Sequence, residues 1–224
     1  MLNKVEIMDL AKNSLLNLLG SEIPVSFLNT FEEKLYSDVQ KHQKHVEEMF
    51  PDLEFQPSIN GQLINVSVHQ TLRLSALGCG LDSDIETTSP AGSEYTKVSS
   101  NSFVFTGIRS DSSQFTRAKY RQVFSKLNVG FNKVQLSLLE EHSVFANISE
   151  KIFVIFGVFV DRDKNVHMSC LIPNEGLTKI LLQFSFNEIR AAAIKPANTD
   201  NLVPLVEVRR RLKDIDDGEA QAQG

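Results

Sequence analysis

The sequence predicts an α+β protein, in which two N-terminal helices pack on a mostly antiparallel sheet that includes a C-terminal three-strand meander. Three observations carry this. Apolar residues recur at helical spacing over positions 1–50. The stretch "KIFVIFGVFV" holds nine consecutive residues, 152–160, without a polar side chain. Runs that alternate apolar and polar residues follow it, separated by turn sequences.

The first helix comes from "VEIMDLAKNSLLNLLG", where Ile7, Met8, Leu15, Leu18 and Leu19 are spaced for one face and Gly20 is a stop. A second helix starts near Pro24 and runs to Phe50, before Pro51. Phe31, Leu35, Val39, Val46 and Met49 fall on one side of it. From 64 to 75 the pattern becomes alternating. Ile64, Val66, Val68, Leu72 and Leu74 point one way, while Asn65, Ser67, His69, Thr71 and Arg73 point the other. That predicts a half-buried strand or a broken pair, with Gln70 at a bulge or as a hydrogen-bonded core amide. Residues 78–101 are rich in Gly, Ser, Thr and Asp and predict a long mobile loop.

"SFVFTGI" predicts the next strand, and a helix over 113–128 presents Tyr120, Val123, Phe124 and Leu127. Residues 131–145 fit either period. In 152–160 every residue except Gly157 is β-branched or Phe, which favours a strand. At nine residues it is far short of the ~20 that a membrane helix needs. Apolar on both faces, it is expected at the centre of the sheet, covered by the N-terminal helices. Val166, Met168, Cys170 and Ile172 form the second meander strand. Leu182, Phe184 and Phe186 form the third, and Cys170 is a core thiol. "LVPLVEV" is an expected edge strand, because Pro204 lacks an N–H. The chain thus divides into a helical segment at 1–50, an α+β core at 51–212 and an acidic disordered tail at 213–224.

Composition narrows the function classes. The chain has 224 residues, 42% hydrophobic and 23% charged, which suits a soluble globular protein. The net charge of −5 provides no global field toward nucleic acid or anionic lipid. The two cysteines make no disulfide framework, and positions 1–19 lack the unbroken apolar core of a signal peptide. An intracellular, cytoplasmic protein away from membranes is expected.

Motifs are sparse. The P-loop, the dinucleotide-binding glycine fingerprint, H-E-x-x-H and the G-x-S-x-G elbow are all absent from the sequence. Asp38, His42 and His45 form D-x3-H-x2-H. Spacings of four and three put them within ~60° around a helix, the donor set of a transition-metal site. Arg109, Arg117, Lys119, Arg121, Lys126 and Lys133 make a basic segment interleaved with Tyr120, Phe124 and Phe131. That composition fits phosphate contacts with stacking neighbours, although Arg117 and Arg121 project to one flank of the helix and Lys119 and Lys126 to the other. Asp200, Glu207 and Arg209 approximate the acid-x-Lys arrangement of metal-dependent nucleases, with Arg in the lysine position.

Two functions follow as expectations. The first is an interaction module, self-associating into a homo-oligomer and touching nucleic acid through 109–133, with no cofactor. The second is a metal-dependent nuclease or other hydrolase, which would need a divalent metal.

Overall fold

The computed structural model describes residues 4–51, 54–88, 92–109, 118–131, 151–161, 163 and 165–194. Three long helices come first: α1 (Lys4–Glu22), α2 (Val25–Met49) and α3 (Gln56–Gly78). Then come β1 (Asp82–Thr87), β2 (Glu94–Ser99) and β3 (Phe103–Arg109). A short helix, α4 (Lys119–Ser125), continues into a 3-10 turn over Lys126–Phe131. The last described elements are β4 (Ile152–Val160), β5 (Val166–Pro173), β6 (Ile180–Ser185) and α5 (Phe186–Ile194). Among the described residues, the six strands form one sheet in chain order. Neighbours are antiparallel except β3 and β4, which are parallel. The architecture is α+β, with helices both before and after the strands. No described helix is long and apolar enough to cross a membrane.

The apolar run is β4, and its position explains its composition. Ile152, Val154, Phe156 and Val158 face one core with α1, α2, α3 and α5. Phe153 and Ile155 face a smaller core with Val104, Ile108, Leu171 and Leu177, against which Phe124 and Leu127 pack. A strand covered on both sides has no face on which a polar residue could meet water. Phe156 sits among the rings of Phe27, Phe31, Phe105 and Phe186, at centroid distances of 5.3 to 5.7 Å. Helix α2 therefore covers the sheet as expected, and β4, β5 and β6 pair antiparallel in succession. Cys170 is fully buried, and that burial pushes its thiol pKa well up.

Parallel pairing of β3 with β4 requires a crossover. The chain between them carries α4 and its 3-10 turn over the smaller core. Asn128 pins this layer to the sheet. Its amide nitrogen donates to the carbonyls of Phe153 (3.0 Å) and Pro173 (2.8 Å), and its oxygen accepts from the Phe153 N–H (2.8 Å).

Three expectations are corrected. Residues 64–75 are helix, within α3. Buried Ile64, Val68 and Leu72 are four apart, a spacing that satisfies both a two-residue and a helical period. Val66 and Leu74, which completed the alternation, are exposed at 62% and 44%. Ser67 and Thr71, assigned to the water side, face α2. Ser67 Oγ lies 2.7 Å from His42 Nε2, and Thr71 donates to Asp38 at 3.4 Å. Gly107 completes the seat, since a Cβ there would collide with Val68 of α3.

Residues 78–101, expected as a loop, carry β1 and β2 in register from Asp82↔Ser99 to Thr87↔Glu94. Their polar side chains find partners across strands and helices, so little apolar content is needed. The last strand was expected to include Phe186 and Asn187, but it stops at Ser185 and α5 begins. Ser185 and Glu188 form a capping box, with the Glu188 N–H on Ser185 Oγ (3.2 Å) and the Ser185 N–H on the Glu188 carboxylate (2.7 Å). Helix α5 then lies against α1 so closely that a Cβ on Gly20 would stand 2.7 Å from the Ala193 nitrogen. Of the expected helix over 113–128, Lys119–Ser125 is α-helix and continues as a 3-10 turn, while 113–117 lie outside the described residues. The expected edge strand at "LVPLVEV", the ambiguous 132–145 and the tail at 213–224 lie outside the described residues.

Candidate functional site

An open groove of about 750 Å³ runs between α3 and the β1–β2 hairpin. Its helical wall holds Asn65, His69 and Arg73, four residues apart and hence in one row, flanked by Val66, Gln70 and Leu74. Its floor holds Ile85, Thr87, Glu94 and Thr96, which the antiparallel register places on one face of the hairpin. Gly92 and Ser93 close one end.

Thr96 fixes His69 at two points. Its hydroxyl donates to the His69 carbonyl at 2.8 Å, and its backbone N–H donates to His69 Nδ1 at 3.3 Å. A ring nitrogen that accepts an N–H carries no proton, so the neutral ring holds its hydrogen on Nε2. Burial and, to a smaller extent, the nearby Arg121 guanidinium lower the His69 pKa to about 4. At neutral pH, His69 is therefore an oriented neutral donor, and its accepting nitrogen is already engaged. This geometry suits hydrogen bonding to a ligand oxygen better than general-base catalysis.

A second layer stands behind the hairpin, on the face opposite α3. Tyr95 stacks on Tyr120 at 3.7 Å, and both rings meet the edge of Phe124. The Tyr95 hydroxyl donates to Glu86, which also pairs with Lys97 at 2.7 Å. The hydrogen bond from Lys97, then that from Tyr95, holds the Glu86 carboxyl below its usual range. Burial and the bond to Glu86 push the Tyr95 hydroxyl up. The Arg121 guanidinium packs 5.2 Å from the Tyr120 ring centre. Burial lowers its pKa, and Tyr120 acts in the opposite direction.

The residues singled out in the sequence are dispersed. Asp38 pairs with Lys34 at 3.3 Å and accepts from Thr71, while His42 bonds Ser67, so both side chains serve the α2–α3 interface. His45 is exposed. Among the described residues, no three His, Cys, Asp or Glu side chains converge to hold a metal ion. In the basic segment, Arg109 reaches under α3, where a Cβ on Gly61 would strike its guanidinium. Arg121 is buried on the other side of the sheet, at 8% exposure, and Lys119 and Lys126 are exposed. Arg117, Lys133, Asp200, Glu207 and Arg209 lie outside the described residues.

The groove residues were in view in the sequence but were placed on the wrong kind of element. Asn65, His69 and Arg73 recur every four residues, a spacing that fits a helix or a strand, and the strand reading turns them toward bulk water. Thr96 and Ile85 belong to the segment whose Gly, Ser, Thr and Asp content predicts a loop. No family model, curated protein or solved structure matches this chain.

Proposed function

We propose that this protein is an interaction module that binds an extended peptide segment in the groove between α3 and the β1–β2 hairpin. The observation that carries it is the helical row of Asn65, His69 and Arg73, with His69 locked by Thr96 as a neutral Nε2–H donor. These donors share the groove with exposed apolar side chains, Val66 and Leu74 on the same helix and Ile85 on the floor. A peptide carries carbonyl oxygens at every residue and side chains at regular steps, and it matches such a mixed wall.

The test is selection of random linear peptides against the full chain, followed by affinity measurements on two groove variants. Arg73→Ala removes a guanidinium donor, and Val66→Asp places a charge on an exposed apolar contact. Each should weaken the selected peptides about tenfold or more, equivalent to ~1.4 kcal/mol, with little change in melting temperature. Failure to select any peptide, or binding indifferent to both changes, overturns the proposal.

A further inference from the structure

We infer that β1 is an open sheet edge that takes a basic extended segment as a seventh strand, with alternate side chains of that segment entering the groove. This rests on the groove binding extended peptides, and it adds the partner's chemistry and its mode of pairing. β1 ends the strand order and pairs with β2 alone among the described residues. Its outward N–H and C=O groups form a row that an extended chain can extend.

The two faces of β1 differ. Ser83, Ile85 and Thr87 lie on the α3 side, where Ile85 and Thr87 are part of the groove floor. Asp82, Asp84 and Glu86 lie on the opposite side, Asp82 and Asp84 being exposed. Glu86 is held as a carboxylate by Lys97 and Tyr95. A strand beside β1 sits ~4.8 Å away, so its side chains alternate between the groove and this acidic row.

The charge pattern selects the occupant. A second copy of β1 would set Asp82, Asp84 and Glu86 against the same acids, and like charges on adjacent strands repel. A segment that alternates Lys or Arg with apolar residues instead pairs its cations with the acids. Its apolar residues fall beside Ile85, Val66 and Leu74.

The experiment uses the full chain and a synthetic peptide of about nine residues alternating Lys and Val. Controls are a Glu–Val alternating peptide, a peptide of the same Lys–Val composition in two blocks, and a Lys–Val peptide N-methylated at alternate residues. Affinity is read by fluorescence anisotropy, and amide exchange is followed over 82–87.

The alternating Lys–Val peptide should bind and slow exchange in β1, and the three controls should not. Binding should weaken about five- to tenfold in Asp82→Asn/Asp84→Asn. It should also weaken as salt shortens the Debye length from ~10 Å at 0.1 M toward ~3 Å at 1 M. Asp82→Lys/Asp84→Lys should switch preference to the Glu–Val peptide.

Equal binding of the blocked peptide overturns the inference. So does full protection of β1 amides in the free protein, which would mean that this chain or a second copy already covers the edge. Gain of self-association in Asp82→Asn/Asp84→Asn without peptide binding also overturns it, because the acids then only guard against aggregation. If selected peptides depend on Arg73 while β1 stays unprotected, the edge inference falls and the groove proposal stands. If β1 becomes protected while Arg73→Ala changes nothing, the groove proposal falls and edge pairing stands.

Discussion

Mild acid should destabilise the protein through His69, and the size of the effect follows from its surroundings. The folded-state pKa is lowered from 6.5 to about 4. As pH falls, the unfolded chain takes up the proton first. The stability contributed by the neutral ring is therefore fully present above about 6.5 and is lost progressively as pH drops toward about 4. At ~1.36 kcal/mol per unit, a displacement of about 2.5 units sets an upper bound of about 3 kcal/mol. The ring lines an open groove, so solvent reduces this to about 2 kcal/mol. About 1.4 kcal/mol of this is lost between pH 7 and pH 4.5, so with a urea dependence of about 2–3 kcal/mol per molar the urea midpoint should fall by about 0.5–0.7 M.

The comparison is His69→Gln, whose amide oxygen can still accept the Thr96 N–H but does not titrate. Glu86 and Glu188 also have lowered pKa values, from Lys97 and from the Ser185 cap respectively. Their contributions are lost at the acid end of the range and are common to both proteins, so the difference between wild type and His69→Gln isolates the imidazole. Urea midpoints across pH provide the stability reading, and the ring carbon resonances of His69 report its protonation directly. A His69 titration at or above pH 6.5, or the same pH dependence in His69→Gln, would refute the buried, Thr96-bound ring.

Three further outcomes are expected. Asn128→Ala should cost about 3 kcal/mol or more, because it strands the Phe153 N–H and two buried carbonyls. Asn128→Asp should be no better, since a carboxylate cannot donate to those carbonyls. Equilibrium urea unfolding measures both. Phe156→Ala should cost about 3–5 kcal/mol for a fully buried ring packed on four others, and Phe156→Leu clearly less. Equal costs for the two would refute close packing at the centre of the sheet. Ser185→Ala should lower stability by about 1 kcal/mol by removing the α5 cap, seen as a lower melting temperature with the secondary-structure signal retained.

The parts of the fold legible in the sequence are those where one periodicity stood alone. The run at 152–160 had no polar residue, so only a doubly covered strand fitted it. Helix α2 showed Phe31, Leu35, Val39, Val46 and Met49 on one stripe, and all but Met49, in the last turn, are buried. Where two periodicities coincided, the chain did not discriminate. Ile64, Val68 and Leu72 serve a strand or a helix equally. What selected the helix was contact with α2, where Asp38 and His42 provide partners for Thr71 and Ser67.

The cap of α5 was legible and passed unread. "SFNE" carries the Ser and Glu spacing of a capping box, overlaid on the alternation of Leu182, Phe184 and Phe186. The groove was not legible as a site at any level of local pattern. Its wall and floor come from α3 and from a hairpin whose Ser, Thr and Asp content reads as loop. In the hairpin those polar residues find partners, Thr96 on His69, and Tyr95 and Lys97 on Glu86. Local sequence records which side chains a segment could bury. It does not record which hydrogen-bonding partners a distant segment will bring, and for polar residues those partners decide whether burial is tolerated.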